Sequence, residues 1–85
     1  MEIKNNMKEK FNKKILQEKT INIMASEYFS HTAAQCLIEI AKCRGHLKIF
    51  YINIFKEHVV ANKFNLTEND EIIEIARIYV SLKAY

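Results

Sequence analysis

The sequence predicts an all-α protein, a small helical bundle of about four helices. Its hydrophobic fraction of 49% is far above that of a disordered chain. It has no Pro and a single Gly, a composition unlike that of turn-rich all-β proteins. Apolar residues also recur at spacings of three and four. A chain of 85 residues buries only about two-thirds of its unfolded surface, which suits one core, so we expect one helical domain over 1–85.

The N-terminal segment predicts a basic amphipathic arm. Residues 1–19 have a net charge of +3, whereas acidic and basic residues balance in residues 20–85. Four apolar residues follow at intervals of four and would form one narrow helical stripe: Ile3, Met7, Phe11 and Ile15. We therefore expect a helical arm over 1–19 that docks lightly on a bundle core over 20–85.

The next segment predicts a long helix with a break in it. Its apolar residues recur at helical spacings from Ile21 to Ala41: Ile21, Met24, Ala25, Tyr28, Phe29, Ala33, Cys36, Leu37, Ile40 and Ala41. The polar run Ser30 to Thr32 interrupts them, and Thr32 with Gln35 three residues later is typical of a capping box. Gly45 is suited to a left-handed residue that ends the helix.

The stretch KIFYINIF, Lys48 to Phe55, raises a choice between helix and strand. Its strand propensity is high, but a strand needs a partner, and the one candidate, IYVSL at 78–82, lies in a helical pattern. A helix is favoured. Because it would be apolar around nearly its whole circumference, it predicts the middle of the bundle. Residues 21–41 would cover one side, and residues 72–82 or a second copy the other.

The last segment predicts a helix from about Glu68. Thr67 with Asp70 is a helix-start signature, and acidic side chains in the first turns complement the helix dipole: Glu68, Asp70, Glu71 and Glu74. Two apolar stripes follow, the first of Ile72, Ile73, Ala76, Tyr79 and Val80, the second of Ile75, Ile78 and Leu82.

No motif for catalysis or cofactor binding is present in the sequence. Cys36 and Cys43 are seven residues apart on one predicted helix, roughly 10 Å along its axis, too far for a disulfide. With His46 they do not match a usual zinc spacing. Lys42 and Arg44 beside Cys43 are cations that favour a thiolate, but no base is evident. We expect free thiols, no metal, no cofactor, no small-molecule ligand and no enzymatic activity.

The apolar surplus predicts a protein that binds and modulates another protein, as a small inhibitor, adaptor, chaperone subunit or regulator does. The partner would be a different protein or a second copy. Aromatic side chains dominate interface energetics, so the candidate contact residues are Phe50, Tyr51, Phe55, Tyr79 and Tyr85. The same residues are also the best candidates for the core. Asn, Lys and Ile supply 32 of the 85 residues, a bias typical of AT-rich coding sequences in bacteria, phages or mobile elements.

The alternative is a small transcriptional regulator that binds nucleic acid through the arm and the turn from Lys42 to Lys48. Its candidate residues are Lys8, Lys13, Lys14, Lys42, Arg44, His46 and Lys48. Ala41 and Gly45 have the spacing of a helix-turn-helix, but the following helix offers mainly apolar groups to the bases. The sequence has no signal-peptide core and no run long enough to span a bilayer, so the expected compartment is the cytoplasm.

Overall fold

A computed structural model describes residues 12–59, 61–66 and 68–83 of the chain. These residues form four α-helices and a short 3-10 helix at Ala61–Phe64. The α-helices are α1 (Lys13–Ala25), α2 (His31–Lys42), α3 (Gly45–His58) and α4 (Asn69–Lys83). No strand occurs within the described residues, so the predicted all-α fold is confirmed, and KIFYINIF is helical.

Helix α1 begins at Lys13 because Asn12 caps it. The Asn12 side-chain oxygen accepts hydrogen bonds from the backbone N–H groups of Lys14 and Ile15, at 2.9 and 3.2 Å. The helix then runs to Ala25 without a break. It therefore crosses residue 20, where we placed the boundary between arm and core; residues 13–19 belong to a bundle helix. The arm's first three stripe residues lie outside the described residues.

The buried face of α1 differs from the predicted one. Leu16, Thr20 and Ile23 are buried, whereas Ile15 and Ile21 are exposed. Thr20 can occupy the core because its hydroxyl donates to the backbone carbonyl of Leu16 at 2.7 Å, which satisfies the buried polar group. The apolar pattern predicted the wrong face because it counts threonine as polar. Thr20, whose hydroxyl is bonded within its own helix, packs in the core as an apolar residue does.

The break predicted near residues 30–32 is confirmed, because α1 ends at Ala25 and α2 starts at His31. The residue that caps α2 is Ser30 rather than Thr32. The Ser30 hydroxyl accepts from the N–H of Ala33 at 3.1 Å, and α2 starts at His31. Gln35 does not complete a capping box, since its amide donates to Glu39 at 3.1 Å. The loop before α2 is anchored by an edge-to-face contact between Phe29 and Tyr79 of α4.

The prediction that α3 lies in the middle of the bundle is wrong, because α3 packs chiefly on one neighbouring helix, α2. Helix α2 packs against both α3 and α4, whereas α3 packs on α2 far more extensively than on α4. The small side chains of Ala33 and Cys36 are buried together with Leu37 and Ile40. Small residues at a contact let helix axes approach closely. Among the described helices, α4 is the one that packs against all three others.

Helix α4 buries one face instead of two separate stripes. Its buried residues are Glu71, Ile72, Ile75, Ala76 and Tyr79. Val80 is exposed and Ile73, Ile78 and Leu82 are half-buried. The first turn carries Asp70 and Glu71, as predicted from the dipole argument; the expected cap at Thr67 lies outside the described residues. Helix α1 packs against α4.

The link between α2 and α3 is short and depends on Gly45. Only Cys43 and Arg44 separate the two helices. Gly45 has φ +60°, the left-handed conformation predicted for it, but it is the first residue of α3 and does not end α2, whose C-cap is Cys43. This tight turn brings the end of α2 next to the start of α3. None of the helices in the described part of the chain has the length and apolar character needed to cross a bilayer.

Candidate protein-binding surface on α3

Helix α3 has one face in the core and another that is open. Ile52 and Phe55 are fully buried, and Val59 continues that buried side. On the remaining sides, Leu47, Ile49 and Phe50 are 52%, 45% and 55% exposed. We name these three residues the outer face of α3. It is exposed because α3 packs chiefly on one neighbouring helix.

The outer face continues into a longer apolar row. Tyr51 and Ile54 are half-buried and pack against the core. Leu47, Phe50, Tyr51 and Ile54 fall at positions i, i+3, i+4 and i+7, which share one side of a helix over two turns. The Phe50 and Tyr51 rings meet edge to face with centroids 5.3 Å apart. The row therefore presents ordered aromatic rings beside an exposed Leu.

Four basic residues lie near the N-terminal end of this row, where α2 meets α3: one ends α2, one lies between the helices and two are in the first turn of α3. We name them the basic corner: Lys42, Arg44, His46 and Lys48. Lys42 lies 3.8 Å from Glu39 in an exposed ion pair, whereas Arg44 and Lys48 have no ion-pair partner among the described residues. No Asp or Glu occurs from residue 40 to residue 56.

The start of α3 adds to this positive potential. Its first turn has no acidic residue, and Arg44 at the N-cap makes no side-chain capping hydrogen bond. The first N–H groups of a helix carry partial positive charge. The basic corner and the helix terminus therefore both make the local electrostatic potential more positive, and both are next to Leu47 and Phe50.

The predicted contact residues separate into surface and core. Phe50 is exposed and Tyr51 half-buried, but Phe55 is 0% and Tyr79 4% exposed. Because Phe55 and Tyr79 are buried within the fold, their side chains are not accessible to a partner. Tyr85 lies outside the described residues. Leu47 and Ile49 are also exposed, although they were not among the residues selected from the sequence. They could have been identified because α3 is apolar around nearly its whole circumference, so that some of its apolar residues must face solvent.

The predicted nucleic-acid residues fall on two different helix pairs. Lys42, Arg44, His46 and Lys48 form the basic corner of α2 and α3. Lys13 and Lys14 are exposed on α1, whose packing partner is α4; Lys8 lies outside the described residues. The basic corner thus adjoins the candidate aromatic residues Phe50 and Tyr51, which sequence reasoning had assigned to the competing function.

Cys43 is not an activated thiol, contrary to the effect expected of its cationic neighbours. Its pKa is raised, first by desolvation and then by Glu39, which accepts a hydrogen bond from its Sγ at 3.5 Å. Lys42 and Lys48 lower the pKa but do not reverse the shift. Burial, and to a lesser degree Glu39, also raises the pKa of Cys36. Both cysteines are free thiols, as predicted.

The described residues contain no group of three His, Cys, Asp or Glu side chains arranged to hold a metal ion. A shallow groove lies between the start of α1 and the end of α4, lined by Lys13, Gln17, Ile78, Ser81 and Leu82. It has no cluster of converging polar groups of the kind that orients a small molecule.

No protein-family model matches this chain, and no curated protein or solved structure matches it either.

Proposed function

We propose that this protein binds another protein through the outer face of α3 and modulates it, as an inhibitor, adaptor, chaperone subunit or regulator does. The observation that supports this proposal is the exposure of Leu47, Ile49 and Phe50, about half of each side chain, on one helix. Single exposed apolar residues are ordinary on protein surfaces, but Leu47 and Phe50 are one turn apart in a row with Tyr51 and Ile54, and such a row is typical of an interaction site.

The energetics favour covering this surface. Fully burying a Leu, Ile or Phe side chain contributes about 1.5–3 kcal/mol, so covering the exposed half of three such residues contributes about 3 kcal/mol in all. Tyr51 adds an aromatic ring with a polar end, the type of residue enriched in binding hot spots. The backbone under these residues is held in α3 by the burial of Ile52 and Phe55, so the surface is ordered before a partner binds.

The basic corner supports a second candidate, nucleic-acid binding. Four basic residues without an acidic residue from 40 to 56 form a local positive patch. This patch differs from an ordinary phosphate-binding surface in having the apolar outer face of α3 beside it. A complex held by phosphate contacts would weaken steeply with salt, whereas one held by Phe50 and Leu47 would not.

We also propose a reducing compartment, the cytoplasm, for this protein. The two free cysteines support this, because secreted proteins of this size commonly pair their cysteines.

The proposed function is tested by affinity capture from the native host's lysate, with and without nuclease. Three baits are compared: wild type, Phe50→Ala and Ile21→Ala. Ile21 is a matched control, since it is an exposed apolar residue on α1. We expect wild type and Ile21→Ala to recover the same stoichiometric protein with or without nuclease, and Phe50→Ala to recover much less. Equal recovery by all three baits would contradict the proposal, and loss of recovery with nuclease would favour the second candidate.

A further inference from the structure

We propose that the apolar row of α3, which consists of Leu47, Phe50, Tyr51 and Ile54, and the basic corner together receive an acidic amphipathic helix of the partner protein. This inference rests on the proposed function and specifies the partner's chemistry. The docking segment would carry apolar side chains along one side and Asp or Glu residues beside them at one end.

The apolar row fits a helix as its ligand. Leu47, Phe50, Tyr51 and Ile54 extend along two turns of α3, about 11 Å. A second helix lying along this row would place its own residues at i, i+3 or i+4, and i+7 against it, which is the usual pattern of helical docking. Because the row is long and narrow, a single helix covers it.

The charges specify an acidic ligand. The segment from residue 40 to residue 56 has four Lys and Arg side chains, Lys42, Arg44, Lys48 and Lys56, and no acidic one. Arg44 and Lys48 are without an ion-pair partner among the described residues. The positive terminus of α3 lies among them. Acidic side chains on the docking helix would complete these pairs, while a basic or neutral helix would leave them unpaired or repelled.

A second copy of this chain does not supply that complement. In an antiparallel α3 pair, the basic corner of one copy would meet Lys56, Glu57 and His58 of the other, which have no net negative charge. In a parallel pair the two basic corners would face each other. Neither arrangement offers the cations of the corner a segment of net negative charge.

A flat anionic surface, such as a membrane, is also a poorer complement. Glu57 is exposed and lies seven residues from Phe50, almost directly in line with it on the helix. A uniformly anionic surface pressed on Phe50 would bring negative charge against this carboxylate, whereas a helix with its acidic residues only at the end beside the basic corner would not.

The experiment is a selection from a display library of helical peptides, using wild-type protein as target and the Phe50→Ala variant for counterselection. Enriched sequences are then synthesised with each Glu and Asp either kept or replaced by Gln and Asn. Binding is measured by fluorescence anisotropy. We expect enrichment of acidic amphipathic peptides, and binding weaker by about tenfold for the amidated versions, the effect of several partly exposed ion pairs.

Protein variants test the assignment of the charges. The double variant Arg44→Glu with Lys48→Glu should lose the preference for the acidic peptide, whereas the control Lys13→Glu with Lys14→Glu, which makes the same charge change on α1, should retain it. Melting curves of both variants exclude unfolding as the cause.

The outcomes separate the two proposals. Enriched peptides that are neutral or basic, or amidated peptides that bind equally well, would overturn the acidic partner while leaving the outer face as a binding site. A selection that yields binders of wild-type protein before counterselection but none that survive counterselection against Phe50→Ala would overturn both. Tighter binding of duplex DNA or of anionic phosphatidylglycerol vesicles than of any selected peptide, or a concentration-dependent dimer in sedimentation without peptide, would assign the surface to a different occupant and overturn the inference.

Discussion

Lys19 of α1 donates a hydrogen bond from Nζ to Oε2 of Glu71 in α4, at a distance of 2.6 Å. The two side chains are 21% and 10% exposed, and the residues are 52 positions apart in the sequence. This charged contact therefore closes the bundle between its first and last described helices. It also explains why a glutamate occupies the buried side of α4: its charge is compensated by Lys19 and by the helix N-terminus.

The Lys19–Glu71 pair predicts an asymmetric response to substitution. Lys19→Met should lower the free energy of unfolding by about 1–2 kcal/mol, because it leaves the more buried carboxylate without its partner. Glu71→Gln should cost less, since the amide still accepts a hydrogen bond. Urea unfolding measures both, with Lys14→Met, an exposed lysine on the same helix, as control. Equal stability of Lys19→Met and Lys14→Met would show that the pair contributes nothing.

The cap of α2 predicts which of two nearby hydroxyl residues stabilises the helix. Ser30→Ala should lower the free energy of unfolding by about 1 kcal/mol, because the N–H of Ala33 loses its acceptor. Thr32→Ala is the matched control and should change it by less than about 0.5 kcal/mol, since Thr32 is exposed within the first turn. Thermal melts of the two variants decide between them. A larger effect at Thr32 would restore the capping box that the sequence suggested.

The two phenylalanines of α3 predict opposite behaviour in stability measurements. Phe55→Ala should cost about 3–5 kcal/mol, because it empties a fully buried site. Phe50→Ala should cost less than about 1 kcal/mol, because its ring is more than half exposed and loses mainly the contact with Tyr51. Chemical denaturation followed by circular dichroism measures both. A strongly destabilised Phe50→Ala variant would make Phe50 a structural residue and weaken its assignment to the binding surface.

The environment of Cys43 predicts a pH-dependent change in thiol reactivity. Glu39→Gln removes the carboxylate that raises the pKa of Cys43, while desolvation still raises it and Lys42 and Lys48 still lower it. The pKa should therefore fall, and the larger thiolate fraction at mildly alkaline pH should speed alkylation of Cys43.

The measurement is the rate of iodoacetamide labelling at Cys43 across a pH series, located by mass spectrometry. Glu74→Gln serves as control, because Glu74 lies on α4 and is paired with Arg77 at 2.8 Å. The midpoint of the rate profile should shift downwards in Glu39→Gln alone. An unchanged midpoint would mean that the hydrogen bond from Cys43 to Glu39 does not control the thiol.

Sequence reasoning was most accurate where the information is local. The helical character of the chain, the break before α2, the left-handed Gly45 and the acidic start of α4 all follow from residue spacing and terminal preferences within a few positions. It was least accurate where two residues compete for one role. Ser30 and Thr32 are both good caps, and only the hydrogen bond to Ala33 distinguishes them.

The sequence by itself determined that this chain forms helices and that its apolar residues exceed what one face of each helix requires. Only the tertiary structure decided which sides of these helices are covered. Helical spacing defines the sides of a helix but not the neighbours that cover them, and those depend on how helices distant in the sequence pack. Packing set α3 chiefly against α2, buried Phe55 and Tyr79 in the core, and left Phe50 beside the basic corner at the surface.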